Sequence, residues 1–289
     1  MAEITAQMVK ELREKTGAGM GDCKNALVET NGDLKEAVEY LRKKGAAALA
    51  KRQDRSANEG LVIAKTSANN QDAAIVELNS ETDFVAKNEG FETFANQLGQ
   101  AILENNPTSI DEIMELKVGN DTVKGLYNEI LAKFSEKIEI RRFERWKTTG
   151  FFTEYIHAGS KLAVLIEISA PNPNETATTM IRDIAMQIAA MNPLYLDRSV
   201  VPQADLDKEK EIYKAAAIAE GKKEEIAEKI AEGKLNKFYQ EQCLVEQQFV
   251  KDATKTIADV VKDISAEFGK EVKIIRFVRY FLGESLEQE

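Results

Sequence analysis

Hydrophobic residues along this chain recur at two periods, and the switches between them predict its elements. Helical spacing comes first. Ile4, Met8, Val9 and Leu12 form one apolar stripe, Cys23, Ala26 and Leu27 a second, and Leu34, Ala37, Val38 and Leu41 a third. Gly17, Gly19 and Gly21 fit the first connection. Asn31-Gly32-Asp33 marks the second, with Asp33 as helix cap and Glu36 three residues on. Residues 1–55 are therefore expected to form a three-helix unit. It ends in a basic connector, Arg42 to Arg55, read as a solvated linker.

Beyond residue 56 the period shortens to that of strands, and the pattern repeats. Gly60-Leu61-Val62 matches Gly150-Phe151-Phe152, and Val76-Glu77-Leu78 matches Ile166-Glu167-Ile168, both at an offset of 90. The helical positions Phe91, Phe94, Ala95, Leu98 and Ala101 match Ile181, Ile184, Ala185, Ile188 and Met191 at that same offset. Arg142-Phe143-Glu144-Arg145-Trp146 matches Arg276-Phe277-Val278-Arg279-Tyr280 at 134, so the second half is longer by 134 less 90, or 44 residues. The extra length falls between Pro202 and Gln240. There Leu206, Tyr213 and Ile218, then Ile226, Ile230 and Leu235, outline two amphipathic helices joined at Gly221.

The predicted fold class is α+β. It comprises the helical unit over 1–55, a duplicated core of two antiparallel-sheet halves with helices (56–146, then 147–200 with 240–289), and an antiparallel helical hairpin over 201–239. The hairpin is densely charged with a narrow apolar stripe. It must pack on itself or on another chain, a second copy in a homodimer included.

Composition removes several functions. No run approaches the roughly 18 apolar residues of a membrane span, and the N-terminus lacks the basic and apolar regions of a secretory signal. Cys23 and Cys243 stand far apart, which points to a reduced, cytoplasmic protein rather than a disulfide framework or zinc site. A single histidine, His157, leaves little for acid–base or metal chemistry, and no cofactor is expected. Gly17-Ala18-Gly19-Met20-Gly21-Asp22 is glycine-rich but follows a helical pattern and has Asp22 where a dinucleotide fingerprint needs glycine, so it reads as a tight turn. Residues 1–55 carry 11 basic and 9 acidic side chains, against an overall net charge of −10. An acidic body with a slightly positive head suits a protein partner better than direct nucleic-acid binding.

One stretch stands out, Thr82-Asp83-Phe84-Val85-Ala86-Lys87-Asn88. It bridges a predicted strand, Ala73 to Asn79, and the helix beginning near Phe91. Thr82 and Asp83 suit a helix N-terminus. Phe84 sits where the chain turns at the surface, so it is either folded back into the core or offered to a partner.

These motifs resemble the bacterial elongation factor Ts family, the nucleotide-exchange factors for the translation GTPase elongation factor Tu. The similarity runs almost end to end. It is strongest from Val9 to Arg13, at Thr16-Gly17-Ala18-Gly19-Met20 with Asp22-Cys23-Lys24, and from Thr82 to Asn88. It is weaker at Tyr155-Ile156-His157, at Gln247 with Phe249-Val250, and at Arg276-Phe277. The resemblance implies a ubiquitin-associated-like head and an exchange factor without covalent chemistry. It also implies that Thr82, Asp83, Phe84 and Val85 dislodge Mg²⁺ from elongation factor Tu, with Met20, Lys24, Phe134, Ser135, His157 and Val250 as further contacts.

Overall fold

The computed structural model describes residues 4–16, 18–50 and 55–285. Gly17 and residues 51–54, which belong to the first connection and the basic connector, lie outside them. Helices and small antiparallel sheets make up the chain, an α+β composition.

Helices α1 (Ala6–Thr16), α2 (Met20–Glu29) and α3 (Leu34–Ala50) enclose a core of Val9, Leu12, Ala18, Cys23, Ala26, Leu27 and Ala37. Asp33 caps α3, its carboxylate accepting from the amides of Lys35 and Glu36 at 2.8 and 2.9 Å. Two expectations change. Gly21 lies within α2 rather than in the turn, and α3 continues through the basic connector as far as Ala50. The alanine-rich run Gly45 to Ala50 has the helix propensity to carry it on.

Strands β1 (Glu59–Thr66) and β2 (Asp72–Ser80) lead to the single turn α4 (Asp83–Ala86) and to α5 (Glu89–Asn105). Then come α6 (Ile110–Glu115), the small ribbon β3 (Lys117–Val118) and β4 (Asp121–Thr122), α7 (Val123–Lys133) and β5 (Ile138–Lys147). The second half runs β6 (Phe151–Ile156), β7 (Leu162–Ile168) and α8 (Glu175–Met191). The hairpin α9 (Gln203–Ala219) and α10 (Glu224–Gln242) follows, then the ribbon β8 (Gln248–Phe249) and β9 (Asp252–Thr256), α11 (Ile257–Phe268) and β10 (Ile274–Phe281).

Each half builds a three-stranded antiparallel sheet with its second strand central, β1-β2-β5 and β6-β7-β10. The central strands are buried on both faces, which explains their near-continuous apolar sequence. Alternate residues of β2 serve two cores: Ala74, Val76 and Leu78 pack under α5, while Ala73 and Ile75 meet Phe152, Ala163 and Leu165 of the other half.

The duplication extends to detail. Both third strands bulge at one residue, Arg141 in β5 and Ile275 in β10, which are 134 apart. Glu77 pairs with Arg142 and Glu167 with Arg276, each at 2.6 Å. The halves contact reciprocally. The Val62 amide donates to Ser160 O and the Phe152 amide to Asn70 O, both at 2.7 Å, and Asn70 and Ser160 share a left-handed backbone (φ 55 and 53°). Gly60 and Gly150 are required where each half starts, since a Cβ would lie 2.1 Å from Leu78 O and 1.9 Å from Ile168 O.

One correction is informative. The strands repeat at 90, but the helices do not. From the cap Asn88 to the cap Asn174 the offset is 86, and from the left-handed Asn106 to Asn192 it is again 86. Pairing Phe91 with Ile181 slips the helices by about one turn, which leaves the apolar face intact and so hides the slip. The four residues lost match the length of α4, for which the described residues of the second half show no equivalent. After the helix the offset returns to 134, as between the caps Thr122 and Thr256. The second half's insertion is therefore 134 less 86, or 48 residues.

In the hairpin, the seam is formed by Tyr213, Ala217, Ala227, Ala231 and Phe238, with Lys214–Glu224 paired across it at 2.9 Å. Ile218 and Ile226, expected on the stripe, are half exposed. Small alanines let the helices close, and these isoleucines fall outside the seam.

Candidate functional site

The corner between β2 and α5 holds the most exposed large apolar side chain described, Phe84, at 84%. Its neighbours explain how it stays there. Val85 (6%) and Ala86 (4%) are buried in the core beneath α5, so the single turn is pinned from inside while Phe84 points out. Val85, expected among the partner contacts, is buried in the core and anchors the turn from inside.

Thr82 occupies the cap position of α4, but its side chain does not cap the turn. Its Oγ1 donates to Glu136 Oε1 at 2.6 Å and its amide to Glu136 Oε2 at 3.0 Å. One residue earlier, Glu81 accepts from the Lys137 amide at 2.5 Å and pairs with Arg55 at 3.2 Å. The turn's entry is therefore tied to the junction of α7 and β5, which carries the half-buried Phe134 and the exposed Ser135. Asp83 pairs with Lys87 at 2.7 Å one turn on, and that bond holds its carboxyl below the usual carboxylate value, with a further contribution from the charge of Lys161.

His157 opens the exposed turn that ends at Lys161. Its amide donates to Leu162 O, its carbonyl accepts from Ser160, and its Nδ1 lies 2.9 Å from the Tyr155 hydroxyl. Lys161 pairs with Glu59 at 2.6 Å, and Glu59 stands opposite Ser80 at the end of β2, so the far end of this turn lies beside the strand that leads into the corner. Thr82 to Phe84 and the Phe134-Ser135 junction are thus joined through Glu136, while the bonds of His157 stay within its own turn.

The other candidates stand elsewhere. Met20 (57% exposed) and Lys24 lie one turn apart on α2, joined by Val28 (48%) at the next turn. Val28 escaped the sequence reading, although its spacing of eight from Met20 marks the same face. Val250 (53% exposed) tips the β8–β9 ribbon, its amide held by Gln187 Oε1 at 2.9 Å. Gln187 is fully buried, and its amide nitrogen also donates to Gln247 and Gln248 at 3.1 Å. Glu136 and Gln187 were invisible to motif reading because each acts on a segment more than 50 residues away.

Comparison with known proteins agrees on one family. The family model described as elongation factor TS matches residues 81–284. Elongation factor Ts of Prosthecochloris aestuarii is 45% identical over 288 residues, 98% of this chain and 100% of that protein. That of Chloroherpeton thalassium is 46% identical over 289 residues, again 98% and 100%. That of Clostridium perfringens is 44% identical over 288 residues, 99% of this chain and 95% of the relative.

Proposed function

The chain belongs to the elongation factor Ts family, and we propose that it binds GDP-loaded elongation factor Tu, dislodges Mg²⁺ and speeds GDP release for exchange with GTP. The observation that carries this reading is Phe84, a large apolar ring held outside on a turn whose next two residues are buried. Leaving such a ring in water is unfavourable unless a partner receives it. Aromatics that become desolvated at the centre of an interface are typical hot spots.

Mg²⁺ demands near-octahedral geometry, so a wedge driven into the packing beside it weakens its hold without touching the nucleotide. Full burial of one Phe supplies roughly 1.5–3 kcal/mol, about one to two decades of affinity. Exchange faster by many decades therefore draws on wider contacts. In this reading Thr82 and Asp83 shape the wedge and Val85 anchors it. Phe134, Ser135 and His157 extend the contact around the corner, Met20 and Lys24 meet the GTPase from a ubiquitin-associated-like head, and Val250 meets it from the β8–β9 ribbon. No covalent step is involved. Linkage makes the effect mutual: nucleotide weakens the exchanger by the factor through which the exchanger weakens nucleotide.

The test is release of a fluorescent GDP analogue from elongation factor Tu with and without this protein. Acceleration is expected. An unchanged release rate at concentrations where the two proteins form a complex would reduce the chain to a passive binder.

A further inference from the structure

We propose that Glu136 is a positioning residue that sets the presentation of Phe84. This rests on the exchange function proposed above and deepens it. The carboxylate of Glu136 receives two donors from one residue, the Thr82 hydroxyl and amide, at the point where the chain leaves β2 and enters α4. Glu81 returns the gesture by accepting from the Lys137 amide. Two acidic side chains on two segments thus each grip the other segment's backbone, a crossed latch immediately before the exposed ring. Ser80 adds to it, its hydroxyl donating to Thr82 O at 3.0 Å.

A four-residue helical turn needs such help. Its nucleation cost is not recovered by propagation, and three backbone bonds hold it, from the amides of Ala86, Lys87 and Asn88 to the carbonyls of Thr82, Asp83 and Val85. Burial of Val85 and Ala86 fixes its depth, but charge-assisted bonds at its cap residue, Thr82, fix its angle. The second half gives the comparison. Its corner lacks α4 among the described residues, and it is closed by Ser169 and Lys273 exchanging bonds at 2.9 and 3.0 Å; the carboxylate there, Glu267, takes a side-chain donor from the cap Asn174 at 2.8 Å and grips no backbone amide. The pair of carboxylates on backbone amides accompanies the projecting turn, and the described residues of the corner that lacks the turn show no such pair.

The experiment is a double-mutant cycle, Glu136→Ala and Phe84→Ala singly and together, read by fluorescent-GDP release from elongation factor Tu. Amide hydrogen exchange at Ala86, Lys87 and Asn88 is read in parallel on the free protein. Glu136→Ala is expected to slow exchange about tenfold with Phe84 present and less than twofold without it, since coupled residues are non-additive. Protection of the three amides should fall, and Glu136→Gln, which keeps one acceptor, should recover part of both. Equal slowing in both backgrounds would show a general loss of structure and overturn the proposal, as would unchanged amide protection in Glu136→Ala. If Phe84→Ala itself exchanges like the unmodified chain, the wedge reading fails. The amide protection then still decides whether Glu136 positions the turn.

Discussion

The guanidinium of Arg142 lies over the ring of Tyr280, 3.9 Å from its centroid, across the seam between the halves. The counterpart contact is Arg276 over Trp146 at 4.1 Å, the same two positions exchanged. Each arginine also holds the glutamate of its own sheet, so one side chain joins strand to strand and half to half. The two sites differ in exposure. Glu77 is fully buried and Arg142 only 17% exposed, against 8% for Glu167 and 42% for Arg276. Arg142→Ala should therefore cost about 2–4 kcal/mol, because it strips the buried Glu77 of the one partner on its Oε2 and leaves only Arg141, Asn79 and the Gly283 amide on its Oε1. Arg276→Ala should cost about 1 kcal/mol. Urea denaturation of the two variants measures the difference.

Two seam carboxylates should answer to pH in opposite senses. Burial pushes Glu77 up, but the Gly283 amide, Arg142 and Arg141 outweigh it and hold the group below its ordinary 4.5. Its stabilisation is complete above 4.5 and is lost as the pH falls through the depressed value. Burial dominates at Glu144 and raises it despite the Tyr280 hydroxyl. There stability is lost as the pH rises from 4.5 through the raised value. Thermal melts at pH 3.5 and 7 should show Glu77→Gln losing stability mainly at pH 7. Glu144→Gln should gain at pH 7 and be neutral at 3.5.

Phe84→Ala and Val85→Ala should separate function from fold. The first removes an exposed ring and should shift stability by less than about 0.5 kcal/mol while slowing exchange at least about tenfold. The second empties a core position and should cost about 1–2 kcal/mol. Chemical denaturation and nucleotide release on the same preparations distinguish them.

On the hairpin, neighbours in sequence should differ sharply. Ile226 is 49% exposed and Ala227 is fully buried. Ile226→Lys should leave the melting temperature nearly unchanged, whereas Ala227→Lys should cost about 2 kcal/mol or more by forcing a charge into the seam. A sedimentation run on Ile226→Lys reports in addition whether that exposed face joins two copies.

Cys23 and Cys243 are both fully buried, and burial pushes both thiols up, Cys243 to about 11. Neither should react with a thiol-specific disulfide reagent at pH 8 in the native protein, since the thiolate is the nucleophile. Full reaction is expected in denaturant, followed by absorbance.

What the sequence made legible was whatever repeats or alternates. The strand matches at 90 and 134 hold to the register of individual pairs, down to Glu77–Arg142 and Glu167–Arg276. The helix match failed by a turn because an apolar stripe looks the same after about 3.6 residues. Periodicity detects a face, not a register. Phe84 was conspicuous but ambiguous, since its exposure depends on Val85 and Ala86 taking the inward positions. Glu136 left no local trace at all. Its partner is 54 residues distant, and an acidic residue near a strand start is ordinary until the fold closes.

The four-residue turn α4 has a consequence for recognition. A body whose halves contact each other reciprocally shows an approaching protein two similar aspects, related by half a revolution. A partner reading only the shared scaffold would dock in either pose, and half of its encounters would be wasted. The hairpin on one half and the four added residues of α4 on the other make the poses unequal, so the pseudo-symmetric core acquires a single front.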